Sequence, residues 1–263
     1  MVQAWGHGDA HVLILDVNRQ LETRPKEATL WLRRGELYRL DGNWTNALRD
    51  IERALDLDPK LDLAILERGR LHFDAGQPNQ ATNHLTQFLT RHPSNAVALL
   101  VRARSLVWLG DHRNAIRDFS DAIRNSPDSG PDLYLERAAA CRSLGARGLQ
   151  DAITGLEEGL KTVGPILTLL IAAIDYELEL KRWDSALLRL DKILENAPRK
   201  DRWLMRRAEI LLLAGREGES REEWKRARTE FEALPERMRS TRAGLQQAAR
   251  FQEVLGTIEK NGK

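Results

Sequence analysis

The chain has 263 residues, of which 42% are apolar and 30% are charged, and its formal net charge is +2. So small a net charge gives no reason to expect a nucleic-acid or membrane partner, and no apolar run approaches the ~20 residues that cross a bilayer. The single Cys141 excludes an internal disulfide. Composition therefore leaves the compartment open, since the chain fits a soluble cytoplasmic protein or an exported one whose signal has been removed.

Residues 1–27 predict a tail followed by one short helix. The helix would run from Ala10 to about Glu22, with Asp9 as its N-cap and Pro25 just beyond its end. We interpret it as the second half of a repeat whose first half is missing, which would serve as an N-terminal cap on the helices that follow.

A 34-residue repeat follows, and Pro59, Pro93 and Pro127 mark its period. The landmarks of its first copy are Trp31, Gly35, Tyr38, Ala47, Ile51, Ala54 and Pro59. This skeleton resembles the tetratricopeptide repeat (TPR) signature, W-x2-L-G-x2-Y, then A-x3-F, then P, with Arg34 in place of Leu and Ile51 in place of Phe. Small side chains at two landmarks let a pair of antiparallel helices approach closely, and the proline ends the second helix.

The resemblance implies an all-α fold, a right-handed superhelix of helix–turn–helix repeats with terminal cap helices. The six repeats, numbered in chain order, are 28–61, 62–95, 96–130, 131–165, 166–200 and 201–235. Residues 236–263 would form a C-terminal cap helix, from 236 to 258, and a tail. Repeat five is irregular, because Tyr176 and Trp183 are one residue further apart than their counterparts in repeat one and because its turn has Lys181 but no glycine. We expect an altered turn there.

The resemblance also implies a function, because TPR proteins receive a peptide or helix of a partner protein in their concave groove. The fifth residue of each first helix would line this groove, and these residues are Leu32, Leu66, Leu100, Leu135, Leu170 and Met205. Further apolar residues at groove-facing positions are Leu63, Phe73, Val97, Val107 and Trp108. An apolar groove of this kind favours an interaction site. The alternative is that neighbouring helices or the chain's own tail cover these side chains.

Charged residues recur on the same helix face, one turn after the leucines: Glu36, Arg70 and Arg104. The two arginines could hold a partner's carboxylate through paired N–H donors. The alternative is a solvated ladder of salt bridges within the chain, which would contribute little to binding.

Nothing in the sequence predicts catalysis, a cofactor or a bound metal. His7, Asp9 and His11 have ligand chemistry, but the neighbouring glycines favour a flexible segment over a metal site. No P-loop, metalloprotease, nucleophile-elbow or dinucleotide motif occurs. We therefore expect a protein that is not an enzyme.

Two other partners remain possible from sequence. Residues 199–242 hold 13 basic and 9 acidic residues with Trp203 and Trp224 among them, which is the single hint of RNA binding. A homo-oligomer formed through an edge helix or the C-terminal repeats is the other alternative.

Overall fold

Two stretches of the chain, residues 7–126 and 129–261, are described by the structure, a computed structural model, with side chains described for 10–126 and 129–257. All regular secondary structure in these residues is helical. The helices fall into an N-terminal part, Met1–Ser129, and a C-terminal part, Gly130–Lys263, each with its own packed interior.

The N-terminal part consists of helices joined by short turns. Their bounds are α1 His7–Thr23, α2 Ala28–Leu40, α3 Trp44–Leu57, α4 Asp62–Asp74, α5 Pro78–Arg91, α6 Ala96–Trp108 and α7 His112–Arg124. Helix α1 begins before its predicted start, so Asp9 lies inside the helix and is not its N-cap. Its buried side chains, Ile14 and Val17 among them, pack with Leu30 and Leu37 of α2.

The turn inside each of the first three repeats has a left-handed glycine. Gly42, Gly76 and Gly110 have φ values of 76°, 73° and 78°, a conformation that glycine adopts without a steric cost. In the first turn the Asn43 N–H donates to the Tyr38 carbonyl at 2.8 Å, so the end of α2 is closed by a backbone hydrogen bond. Identical spacing thus gives identical turn geometry.

Close approach of paired helices depends on small residues, as the sequence predicted. A Cβ added at Gly35 would lie 2.9 Å from Ile51 Cγ1 and 3.2 Å from the Ala47 carbonyl oxygen. At Gly69 the added atom would lie 2.7 Å from Leu85 Cγ. The distances of 2.9 and 2.7 Å are shorter than a real Cβ contact, so a larger residue at Gly35 or Gly69 would force its neighbour to shift.

The departure from the TPR signature at Arg34 has a structural explanation. Arg34 of α2 donates to both carboxylate oxygens of the buried Asp50 of α3, at 2.5 and 2.9 Å. Arg102 of α6 makes the same paired contact with Asp118 of α7, at 2.6 and 2.7 Å. An arginine at this position therefore connects the two helices of a repeat through a bidentate ion pair.

The C-terminal part continues the alternation of helices and turns. Its helices are α8 Pro131–Arg142, α9 Ala146–Val163, α10 Leu167–Glu179, α11 Trp183–Asn196, α12 Asp201–Leu213, α13 Glu217–Glu232, α14 Glu236–Arg239 and α15 Arg242–Asn261.

The prediction of an altered turn in repeat five is wrong. Lys181 takes the left-handed position with φ 56°, and the next N–H, of Arg182, donates to the Glu177 carbonyl at 2.8 Å, as in the glycine turns. Helices α2 and α10 both have 13 residues, so no residue is inserted, and Glu177 rather than Tyr176 occupies the place of Tyr38. The backbone pattern of the turn is kept at the cost of a strained lysine.

The prediction of one continuous helix over 236–258 is also wrong. The Thr241 hydroxyl accepts from the Gly244 N–H at 3.1 Å and so caps α15, which leaves α14 as a separate single turn. Helix α15 packs on repeat six through Phe251, whose ring meets Trp224 edge to face at 6.0 Å. It covers the last repeat as a cap helix is expected to do.

Candidate protein-binding face

Three first helices, α2, α4 and α6, contact one another in succession and present one shared face, which we call the α2–α4–α6 face. Its residues recur three, four and seven positions apart along each helix, as residues on one side of a helix do. They are Glu36, Arg39, Leu40, Leu63, Glu67, Arg70, Phe73, Asp74, Val97, Leu100, Arg104, Val107 and Trp108.

Two leucines expected to line the groove are buried. Leu32 and Leu66 are only 5% and 7% exposed, and Leu32 belongs to a cluster that includes Ile51 and Ala64. Leu100 is half-buried. The expected leucine row therefore offers a partner little surface in repeats one and two, because neighbouring side chains cover it.

The main apolar surface of the face is an aromatic pair at its C-terminal edge. Trp108 is 61% exposed, and its ring meets the half-buried Phe73 edge to face, with ring centres 6.2 Å apart. The same indole lies over the turn of repeat two, 3.8 Å from where a Cβ at Gly76 would sit. Val107 beside it is also exposed. Phe73 and the turn at Gly76 contact one side of the Trp108 ring, and the other side is open to a partner.

Further apolar side chains lie at the ends of the same helices. Leu63 and Val97, 34 residues apart, are exposed at the start of α4 and α6. Leu40 is exposed at the end of α2, at the position that Trp108 occupies two repeats later. Sequence reasoning missed Leu40, although counting back by the period from Trp108 finds it.

A network of charges fills the middle of the face. Arg39 donates to Glu67 at 3.1 Å and to Asp74 at 2.5 Å, and Arg70 also donates to Glu67, at 2.5 Å. Arg39 and Glu67 are buried in this network. For Arg70 the salt-bridge alternative is therefore realised within the chain, and sequence reasoning missed the central Arg39.

Glu36 belongs to the same charged centre. Its pKa is raised, first by burial and then by the neighbouring Glu67, against the opposing effect of Arg70. Arg104 on α6 is half-buried and has an interaction partner of its own. The centre of the face is thus polar and largely self-paired, with apolar surface at both ends.

The remaining predicted groove residue, Leu135, lies on α8 in the C-terminal part, where it is half-buried. Two further members of the leucine row lie in that part: Leu170 is buried, and Met205 is half-buried.

Among the side chains that the structure describes, no group of three or more His, Cys, Asp or Glu residues could hold a metal ion. The side chains of His7 and Asp9 lie outside this set, while His11 is exposed on α1. Cys141 is buried, and burial raises the pKa of its thiol. In the part of the chain covered by the structure, no helix has the length and hydrophobicity needed to cross a membrane.

The basic C-terminal stretch is largely neutralised by its own acids. Arg199 pairs with Asp201 at 2.6 Å, and Arg216 pairs with Glu219 at 2.6 Å. Trp224 is buried against Phe251, so its ring is not available to stack on a base. These observations give RNA binding no support.

Tetratricopeptide repeat family models match residues 28–61, 66–130 and 171–235, which is more than half of the chain. The chain therefore belongs to the tetratricopeptide repeat family, whose fold is typically a non-catalytic scaffold for protein–protein interaction. A search of curated proteins finds no significant match.

Solved structures with the same fold share little sequence with the chain. MamA is 21% identical with a TM-score of 0.58, over 68% of this chain and 96% of MamA. A tetratricopeptide repeat protein from Parabacteroides merdae ATCC 43184 is 16% identical with a TM-score of 0.55, over 96% and 93% of the two chains. A chain of the APC/C Cut9–Hcn1 hetero-tetramer is 17% identical with a TM-score of 0.52, over 93% of this chain and 46% of the other. These similarities concern the fold alone.

Proposed function

We propose that the protein is a non-catalytic interaction scaffold, and that the α2–α4–α6 face binds a peptide or helix of a partner protein. The observation that carries this proposal is the exposed Trp108 ring, supported by Phe73 and flanked by Val107. Contiguous exposed apolar surface marks interaction sites, and tryptophan dominates interface hot spots. The hetero-tetramer of Cut9 with Hcn1 contains a chain of this fold, which is consistent with the same role here.

The distribution of polar and apolar groups indicates what the partner segment looks like. Apolar side chains of the partner would contact Leu63 and Val97 at one edge of the face and Trp108 at the other edge. The partner segment would be polar between these two contacts. Arg70 keeps about a third of its side chain exposed although it donates to Glu67. An acidic group of the partner near Arg70 and Arg104 would join this network and fix the orientation of the segment.

To test the proposal, peptides that bind the full chain are selected from a displayed library. The selected peptides are then titrated against the wild type and Trp108→Ala. Loss of a buried tryptophan contact should weaken binding by about 2 kcal/mol, roughly 30-fold in Kd. Leu188→Ala removes an exposed side chain from α11 and serves as the control, since it should leave the Kd unchanged. Circular dichroism checks the fold of both variants. Equal affinity of wild type and Trp108→Ala would exclude this face as the site.

Arg70→Ala gives a second, weaker test of the same face. Because Arg70 is partly exposed and already paired, its loss should reduce affinity less than Trp108→Ala and should reduce the salt dependence of binding. An unchanged salt dependence would remove Arg70 from the proposed contact.

A second candidate, self-association through α1, has one observation in its favour. Val12 and Leu15, three residues apart on α1, are both exposed although the opposite side of the helix is buried. Two copies could cover these side chains by pairing their α1 helices. Sedimentation velocity over a range of concentrations tests this, with Val12→Lys as the disrupting variant. A monomer at every concentration would exclude it.

A further inference from the structure

Repeat two differs from its neighbours at the partner of the arginine that connects the two helices of a repeat. Arg34 and Arg102 each donate through Nε and Nη2 to an aspartate of the second helix, Asp50 and Asp118. Arg68 is the equivalent arginine of α4, 34 residues from each. The period places His84 of α5 where the aspartate stands in repeats one and three.

The substitution leaves Arg68 without the acid that its neighbours have. Its Nε atom is buried and makes no hydrogen bond within the described residues. His84 instead stacks on His72 of α4, with ring centres 5.1 Å apart and planes 20° from parallel. The Nδ1–H of His72 donates to Gln77 Oε1 at 2.7 Å, which fixes the position of its ring.

No acidic side chain within the described residues forms an ion pair in this cluster. Arg102 contacts Thr86 of the preceding helix at 3.2 Å, and the period places Glu52 of α3 at the matching position beside Arg68. Glu52 is exposed on its helix. The groups that act on His84 are Arg68 and His72, both on α4, so a proton on His84 would meet only repulsion from its nearest charged neighbours.

We propose that repeat two is an acid-sensitive element, in which uptake of a proton by His84 beside Arg68 and His72 loosens the contact between α4 and α5. Repeats one and three have an aspartate at this position and do not share the sensitivity. The inference depends on a position that is equivalent in three repeats and differs in one.

The direction of the effect follows from the preference of the folded chain for neutral His84. Burial, then Arg68 and His72, lowers the pKa of His84 from 6.5 to about 4. The contribution of neutral His84 to the free energy of unfolding is fully present above the unfolded-state pKa of 6.5. It is lost as the pH falls toward the folded-state pKa of about 4. Because His84 is only half-buried, we expect opening of repeat two to increase on the order of tenfold by about pH 5.

Acid sensitivity of repeat two would also reach the proposed binding face, since α4 supplies Leu63, Arg70 and Phe73 to it. That consequence rests on the proposed function, whereas the acid sensitivity itself does not. Failure of a peptide to bind would leave the experiment below unaffected.

Amide hydrogen exchange of the full chain, compared between about pH 7.5 and about pH 5 and corrected for intrinsic exchange rates, tests the proposal. Peptides from 62–91 should lose protection on the order of tenfold, while peptides from α2, α3, α6 and α7 change less. His84→Asp supplies the acid that the other repeats have and should remove the difference. Equal loss in wild type and His84→Asp, or equal loss in all three repeats, would overturn the proposal.

Two further measurements guard against a variant that fails to fold. A histidine side-chain NMR titration of the wild type should find the pKa of His84 well below 6.5, and an ordinary value would overturn the proposal. Asp118→His together with Leu106→His places both histidines beside Arg102 in repeat three and should make α6 and α7 acid-sensitive. If the folded variant shows no such change, the position is not what confers sensitivity.

Discussion

Repeats one and five build the same turn between their two helices from different residues. Counting from the turn, Gly42 corresponds to Lys181 and Gly35 corresponds to Ile174. Both turns keep the left-handed residue and the same backbone hydrogen bond, although only one has glycine. The comparison teaches that the hydrogen-bond pattern at the end of the first helix defines the turn, and that glycine lowers its cost without being required.

The charges inside the two hairpins are exchanged. In repeat one the arginine is on the first helix and Asp50 is on the second, whereas Arg189 occupies the position of Asp50 in repeat five. Arg189 donates to Glu177 of α10 at 2.8 Å and to Glu157 of α9 at 2.5 Å. Burial raises the pKa of Glu177, and Arg189 opposes that rise. Repeat five thus keeps an ion pair between its two helices with the signs reversed, although its acid lies at the position of Tyr38 and not at that of Arg34.

The largest expected effect comes from breaking this reversed pair. Arg189→Met would leave Glu177 buried without its counter-charge and should lower the free energy of unfolding by about 3–5 kcal/mol. The cost should shrink as the pH falls, because the raised pKa of Glu177 lets it bind a proton in the folded chain before it does so in the unfolded one. Urea denaturation at neutral and acidic pH measures both effects.

Arg182→Met is the control for that substitution, since the exposed Arg182 side chain donates to Gln150 and acts on Glu177 more weakly than Arg189 does. It should cost less than 1 kcal/mol, which is about the value of an exposed polar contact. Equal costs for the two variants would mean that the pair in repeat five does not replace the pair in repeat one.

The next largest effect is expected from exchanging the residues at the close contact between the two helices of a repeat. Gly35→Ile puts the side chain of repeat five into repeat one, where the added Cβ would lie 2.9 Å from Ile51 Cγ1. Overpacking of this kind should cost ~1–3 kcal/mol in a thermal or chemical melt. Gly218→Ile is the matched control, because a Cβ at Gly218 meets nothing within 4 Å. A neutral Gly35→Ile would show that the helices of repeat one can separate freely.

The smallest effect concerns the turns. Lys181→Gly should stabilise the protein by ~1 kcal/mol, because glycine adopts a positive φ without the penalty that a side chain incurs. Gly42→Lys should destabilise it by a similar amount. A pair of changes with the same sign would contradict the equivalence of the two turns.

The helical hairpins could be predicted from the sequence because prolines, small residues and glycine turns recur every 34 residues. The register of repeat five could not, since Tyr176 matches Tyr38 in residue type while the backbone puts Glu177 in that place. Residue type and backbone position disagree there, and only the hydrogen bonds of the turn decide between them.

Exposure on the α2–α4–α6 face was harder to predict than position. The period correctly groups Leu32 with Leu66 and Leu100, but the first two are buried and the third is half-buried. How far a side chain is covered depends on the size of its neighbours in adjacent helices, which differ between repeats. The network around Arg39 was missed for a similar reason, as its partners Glu67 and Asp74 come from the next repeat.

The exact period of the N-terminal part makes it editable by whole repeats. Deleting 61–94 would keep Asn95, whose side chain accepts from the Ala98 N–H at 2.9 Å, as the cap of α6. Glu52 would then replace Thr86 beside Arg102, while Trp108 would lose the ring of Phe73 beneath it. A shortened chain could therefore keep its hairpins while exchanging the contents of its binding face, so that repeat number and recognition can be altered in a single step.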